Sequence, residues 1–395
     1  MTTPAHAALT PLKVSCLLVN YFSAATLEKA LASVFAQQLS NASFQLLLDV
    51  VVVDNSVDSQ EAQMLQQAIA TLQAQSAKPL SVQLILNSNN TGFGEANNLA
   101  FAHCQGDGVM LLNPDARMRP TCLLALATAL HHHPQLGACA PRQFWDEAQV
   151  WQLPPAWLPT GTGTWTLTQV HHKPVDAQRL SNAYRNLALM SWQSSQACAQ
   201  RAISGGAMMI RRSAIKPPLF DPAFFMYFED SDLSLRLQQT GWQLAMVPEA
   251  HLIHEWTHSE GKVAMMESSK AHYFAKHFNG KGQWQQRLSK LTQTSTGAMD
   301  NPLQAIDTKP VDDQLRLNVP KAWASGWLLE ASPSPLLTPS VGQLGTGGFA
   351  SISRELLNRM SFAPEGTRKV NPVYVRLGPA ANTREALQVF KIDLN

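Results

Sequence analysis

Residues 46–56 read LLLDVVVVDNS. The run 46–53 is too short and too β-branched for a helix, and it stops at the polar trio Asp54, Asn55 and Ser56. A short, nearly continuous apolar run bounded by turn residues predicts a strand buried on both faces, as in a parallel sheet. The same unit recurs on either side. Residues 13–19, KVSCLLV, form a second such run that ends at Asn20 and Tyr21. Between the two, residues 26–38 place Leu27, Ala30, Leu31, Val34 and Phe35 at helical spacing. Residues 60–75, rich in Ala, Gln and Leu, predict a helix. Residues 82–86 predict a third strand, followed by the polar cluster NSNNTGFG and a helix over 95–103. Residues 109–112 predict a fourth strand that ends at Asn113, Pro114 and Asp115; a helix over 121–131 and a short strand over 137–140 follow. Alternating strands and helices with short loops imply an α/β fold, a mostly parallel sheet with helices on both faces. In such sheets ligands gather at the carboxyl ends of the strands. The clusters DNS, NSNNTGFG and NPD all fall there.

The remainder is less regular. Residues 145–200 are rich in Trp, Pro, Gln and Thr with little periodicity, and read as an insertion or a loop region over the site. SGGAMMIRR at 204–212 carries a glycine pair that lets backbone approach a ligand. In FDPAFFMYFEDSDLSLRLQQTG, residues 220–241, a helix is expected from about residue 231, stopping at Gly241. A strand over 242–247, ended by Pro248, and a helix over 262–278 follow. Residues 281–320 read as a linker or irregular extension. Residues 321–395 alternate short apolar stretches (WLLEA, PLLTP, GFASI, VYVRL, VFKID) with Pro, Gly and Ser, and predict a small β-rich accessory module. Residues 353–360 are expected as one helical turn or a strand pair.

The bulk composition narrows the function. A chain of 395 residues suits about two domains at roughly 100–200 residues each. Hydrophobic residues make up 45% and charged residues 15%, which excludes global disorder. The net charge of +2 and the absence of a basic block argue against a nucleic-acid partner. Five cysteines, odd in number and without a C-x-x-C pair, predict reduced thiols in a cytoplasmic protein rather than a zinc or disulfide framework. The N-terminal MTTPAHAALTPLK lacks a signal-peptide pattern, and no apolar run approaches ~20 residues. Peripheral contact with the inner face of the plasma membrane stays open.

Four constellations carry chemistry. Asp115, on a strand-end loop, suits a hard cation such as Mg2+ or Mn2+ that neutralises phosphate. Glu229, Asp230 and Asp232 lie in an aromatic stretch whose apolar neighbours raise carboxyl pKa values, as a general base requires; helix capping is the alternative reading. His254 and His258 in HEWTH fit the H-E-x-x-H zinc-protease pattern, whereas His254 alone beside Asp115 fits a single metal ligand; His251 reads as structural. Asn89 to Gly94 and Asn97 form a glycine-bearing loop before a helix, suited to an anion, yet neither a Walker loop nor a G-x-G-x-x-G fingerprint.

Taken in order, VNY (19–21), VVDNS (52–56), NSNNTGFGEANN (87–98), LLNPDA (111–116), SGGAMMIRR (204–212), FFMYFEDSDLSLRLQQTGW (224–242) and HLIHEW (251–256) resemble glycosyltransferase family 2, of the GT-A fold, and its bacterial rhamnosyltransferase-like branch. The resemblance spans roughly residues 13–278, which makes 1–280 the expected GT-A domain. It implies an inverting transfer of a sugar from a dTDP- or UDP-linked donor to a glycan or lipid-linked acceptor. By the same resemblance Asn20, Asp54 and Asn89 lie in the nucleotide pocket, and Gly92, Phe93 and Asn97 shape its floor. Asp115 is the metal acid and His254 its partner, with Asn113 where the family's first acid stands. Asp230 is the base, with Glu229 beside it, and Gly205 and Gly206 lie near the donor sugar or acceptor. A sugar-nucleotide or glycan-binding protein without turnover is the alternative.

Overall fold

The computed structural model describes residues 9–77, 80–161, 163–164, 174–255, 262–278, 301–310, 313–361, 371–383 and 387–394. The chain runs β1 (Thr10–Asn20), α1 (Ala24–Phe35), β2 (Phe44–Asp54), α2 (Ser59–Gln75), β3 (Ser81–Leu86), α3 (Gly92–His103), β4 (Gly108–Leu112), β5 (Ala116–Met118), α4 (Cys122–His132) and β6 (Leu136–Phe144). It continues with α5 (Pro174–Gln193), β7 (Cys198–Ala199), β8 (Ala207–Arg211), α6 (Glu229–Gln239), β9 (Gln243–His254) and α7 (Lys262–Phe278).

These strands form one sheet in the order β3-β2-β1-β4-β8-β6-β9-β5, with β7 paired to β9. The β3-β2-β1-β4 half is parallel, as expected. Strand β8 runs against both β4 and β6, and β5 and β7 run against β9. The inner strands β1, β4 and β8 are buried on both faces because they are apolar at successive positions. Cys16 and Leu18 of β1 join α1, α2 and α4 in one core, with Leu27, Leu65 and Leu123. Leu17 and Val19 join α3 and α6 in the other, with Ala96 and Leu233. Such double cover accounts for the continuous apolar runs.

Several elements differ from expectation. Residues 145–200 contain the twenty-residue helix α5. Strand β9 continues through Pro248 to His254, a register shift between Pro141 and Arg142 of β6 accommodating it. Helix α6 begins at Glu229, because Tyr227 and Phe228 take left-handed φ values of 71° and 66° and turn the chain just before it. Gly241, at φ 89°, ends it where the sequence indicated.

The C-terminal part forms β10 (Ile306–Thr308), β11 (Gln314–Asn318), β12 (Trp327–Ser332), β13 (Val341–Gly345), β14 (Phe349–Ser353), α8 (Arg354–Met360), β15 (Val373–Pro379) and β16 (Gln388–Ile392). One sheet has the order β10-β16-β15-β12-β13, and β11 pairs with β14. Strands β10 and β11 thus come from the 281–320 stretch, and residues 354–360 are helical. This part shares a core with the first. Trp145, Trp151 and Leu153 pack among Leu329, Val341 and Val375. Gln152 and Gly342 exchange main-chain hydrogen bonds of 2.8 and 3.0 Å. Helix α5 docks on the same sheet through a buried charge cluster: Arg376 donates to both oxygens of Glu330 at 2.7 and 2.8 Å, and Arg185 Nε lies 3.3 Å from Glu330. All three residues are at most 1% exposed.

Candidate active site

A cavity of about 420 Å3 opens at the carboxyl ends of β1, β2 and β4, within the ~300–1,000 Å3 common for small-molecule pockets. Of the residues singled out in the sequence, Gly92, Phe93, Asn113, Gly205, Gly206, Glu229 and Asp230 line it. Asn55 and Asn90, from the strand-end clusters noted in the sequence, also line it, as do Tyr21, Tyr227 and Met265, to which the sequence assigned no role.

Asn20, Asp54 and Asn97 support the cavity without lining it. Asn20 and Asp54 are register partners at the ends of β1 and β2. The Asn20 amide donates to Asp54 Oδ1 (3.0 Å), Ser56 Oγ (3.1 Å) and Glu61 Oε2 (2.9 Å), and its oxygen accepts from the amide and hydroxyl of Ser23. Asn97 donates to the Phe93 carbonyl at 2.9 Å. Asn89 is exposed on the loop before α3. That loop is held by Asn55, whose amide donates to Asn90 Oδ1 (2.8 Å) and the Gly92 carbonyl (3.2 Å), and whose oxygen accepts from Asn87 and the Thr91 amide. At Gly92, φ is 83° and an added Cβ would lie 2.3 Å from the Phe225 carbonyl, so only glycine fits.

The three acids of α6 occupy three environments. Glu229 is 5% exposed, and its Oε2 has no hydrogen-bond partner among the described residues. Burial, reinforced by the neighbouring Asp230 charge, pushes its carboxyl up to about 8. Asp230 is also raised by burial, in part offset by amides: its Oδ2 accepts from the Gly205 N–H at 3.0 Å and its Oδ1 from that of Ser231 at 2.6 Å. For Asp232 burial also works upward, but His277 (2.7 Å), Lys276 (2.6 Å) and Arg236 (2.8 Å) outweigh it and hold the group well below the ordinary range. Asp232 therefore fastens α6 to α7 as a fixed anion, while Glu229 and Asp230 face the cavity. Environments that separate pKa values in this way distinguish a proton-transfer group from a structural one. The consecutive left-handed residues Tyr227 and Phe228 aim this pair, and such backbone outliers gather at functional sites.

Gly205 and Gly206 form a bridge across the site. A Cβ on Gly205 would sit 3.4 Å from Asp230 Cβ. A Cβ on Gly206 would meet His254 Cε1 at 2.8 Å and Asn113 Nδ2 at 3.0 Å, and the Gly206 carbonyl accepts from the Asn113 amide at 2.9 Å. Beyond Gly206, His254 Nε2 stands 3.2 Å from Asp115 Oδ1. Gln143 Oε1 lies 2.9 Å from Nδ1; with the proton on Nδ1, the neutral ring turns its Nε2 lone pair toward the carboxylate. Two electron-rich atoms at this separation call for a proton or a cation between them. Adjacent ligands of an octahedral Mg2+ at roughly 2.1 Å lie about 3 Å apart, so the pair has a spacing that fits such an ion. No cluster of three or more His, Cys, Asp or Glu suited to a metal occurs among the described residues. The H-E-x-x-H pattern needs both histidines on one helix; His254 ends a strand, and His258 lies outside the described residues.

Fold and cavity together define a mostly parallel α/β protein with a cavity at the strand ends, acids on one flank of it and a His–Asp pair on the other. Residues 15–181 match the family described as Glycosyl transferase family 2. Proteins named N-acetylglucosaminyl-diphospho-decaprenol L-rhamnosyltransferase, from Mycobacterium tuberculosis strains CDC 1551 / Oshkosh and ATCC 25618 / H37Rv, are each 27% identical over 210 residues. The match covers 46% of this chain and 61% of theirs, so the chain spans less than two thirds of the length of these relatives. Among solved structures, the mannosyltransferase PcManGT from Pyrobaculum calidifontis in complex with GDP-Man and Mn2+ is 15% identical, with a TM-score of 0.45 over 75% of this chain and 80% of that one. S. aureus TarS 1-349 is 14% identical, with a TM-score of 0.41 over 61% of this chain and 60% of that one.

Proposed function

We propose that the chain is an inverting glycosyltransferase that moves a rhamnose-like or other hexose from a dTDP- or UDP-linked donor to a hydroxyl of a glycan or lipid-linked glycan, in bacterial surface-polysaccharide or cell-wall synthesis. The observation that carries this reading is the glycine bridge, with Asp230 against Gly205 and the His254–Asp115 pair against Gly206. The match of residues 15–181 to Glycosyl transferase family 2 and the name of the Mycobacterium tuberculosis relatives support the same class of reaction.

The donor's nucleotide occupies the 420 Å3 cavity between the Asn55-braced loop and the bridge. Asn20 and Asp54 position its floor, and Tyr21 offers a ring to the base. Asp230 accepts the proton of the acceptor hydroxyl as its oxygen bonds to the anomeric carbon, and the nucleoside diphosphate departs with the electron pair of the broken C–O bond. A single in-line displacement, with the acceptor oxygen attacking the face opposite the departing diphosphate, gives inversion, and Asp230 serves as its base. Glu229, held neutral, leaves the charge on Asp230. A Mg2+ or Mn2+ ion held by Asp115 and His254 would supply positive charge for the departing diphosphate.

We read residues 1–280 as the GT-A catalytic domain and 321–395 as a β-rich accessory module joined to it through 281–320. No helix among the described residues is long and apolar enough to cross a membrane. Cytoplasmic placement with peripheral association at the membrane suits a lipid-linked acceptor. The test is release of nucleoside diphosphate from dTDP-rhamnose or UDP-N-acetylglucosamine in the presence of Mn2+ and a glycan acceptor. No release from any nucleotide sugar, with the chain folded, overturns the reading.

A further inference from the structure

A second cavity, about 250 Å3, adjoins the first. Ser204, which precedes the glycine bridge, and His254, the neighbour of Gly206, both line it. We propose that this cavity binds one pyranose ring of the acceptor. The proposal rests on the reading of the chain as a glycosyltransferase and gives its acceptor side a definite place.

Three features of the cavity fit a sugar ring. Its wall carries Trp157 and Tyr184, stacked with centroids 3.9 Å apart and planes at 18°. A flat aromatic surface meets the C–H face of a pyranose through apolar contact. The same lining includes Arg142 and Gln152, whose buried Nε and Oε1 have no hydrogen-bond partner among the described residues. One unmet donor and one unmet acceptor suit a ring of hydroxyls, each of which both donates and accepts, whereas a hydrocarbon chain would leave both atoms unpaired at a cost. The volume lies just under the ~300 Å3 at which small-molecule pockets begin, which suits a single ring rather than an oligosaccharide.

The position completes the case. Gln143 lines this cavity and also holds His254 Nδ1. A ring seated there lies against the residues that separate it from the first cavity, so one hydroxyl is presented toward the bridge. The pocket is assembled from distant parts of the chain: β6, the segment after it, α5, β9 and Pro339 of the C-terminal part.

The experiment is a saturation-transfer NMR titration of the full chain with the methyl glycosides of N-acetylglucosamine and of rhamnose, alongside dTDP and UDP titrations with Mn2+. Wild type is expected to bind at least one glycoside. Trp157→Ala should weaken it at least tenfold, and Gln152→Leu, which leaves the main-chain bonds to Gly342 intact, several-fold, with nucleotide binding unchanged in both. Failure of wild type to bind either glycoside, or binding unaltered in folded Gln152→Leu and Trp157→Ala, overturns the proposal. Glycoside binding lost in the variants while wild type binds neither nucleotide would instead overturn the glycosyltransferase reading and leave a saccharide site.

Discussion

Asp115 Oδ1 and His254 Nε2 face one another at 3.2 Å, fixed by the antiparallel pairing of β5 with β9, in which Ala116 is the partner of His254. The residue after His254 is held as well: the Glu255 carboxylate accepts from Arg117 at 2.6 Å, and its carbonyl accepts from Trp145 Nε1 at 2.8 Å. In the proposed function, a pair so braced would be pre-set for a cation and would not need to be assembled by it. Asp115→Ala and His254→Ala are each expected to weaken Mn2+-dependent binding of dTDP or UDP at least tenfold, read by isothermal titration calorimetry. Unchanged affinity in both variants counts against the metal assignment.

Gly206 tests the same pair from its other side. In Gly206→Ala the new methyl would sit 2.8 Å from His254 Cε1, closer than two carbons approach, so the imidazole must move off Asp115. The metal-dependent part of nucleotide affinity should fall as it does in His254→Ala, with the melting temperature nearly that of wild type. Full affinity in this variant would show that the ring position is immaterial.

Much of this was legible in the sequence. A strand buried on both faces over Val50–Val53 is apolar at successive positions, so 46–53 declared itself despite Asp49, and the acids of 229–232 stood out against their aromatic neighbours. Helix α5 did not, because it packs partly through Arg185 on the buried Glu330 of the C-terminal sheet, and a helix anchored by charge lacks a clean apolar stripe. The turn at Tyr227 and Phe228 has no Gly or Asn to betray its left-handed backbone. Asn55 looked like an ordinary strand-end residue beside Asp54, and its four-way hold on the 87–92 loop arises from contacts distant in sequence.

Glu229 makes stability depend on pH. Its carboxyl is ordinary near 4.5 in the unfolded chain and raised to about 8 in the fold, so the folded state binds the extra proton across that window. Its contribution is fully present below about 4.5 and is lost as pH rises through about 8. Glu229→Gln, neutral at every pH, should lose less stability than wild type between pH 5 and 9 in thermal melts. Parallel curves for the two proteins would contradict the buried, protonated assignment.

The Glu330 cluster binds the two parts of the chain together. Glu330→Ala strands two buried guanidinium groups, those of Arg185 and Arg376, and removing one side of a buried ion pair costs about 3–5 kcal/mol. Urea denaturation should show a loss of that order, and a loss below about 1 kcal/mol would mean that water reaches the cluster.

The most direct measurement is the turnover of Asp230→Asn set against its nucleotide binding. Asparagine keeps the shape and can still accept from the Gly205 amide, but it cannot take the acceptor's proton. Transfer is expected to drop by about 10²–10⁴, the usual contribution of a general base, while dTDP or UDP affinity with Mn2+ stays within about twofold of wild type. An Asp230→Asn protein that transfers sugar at the wild-type rate would contradict the account.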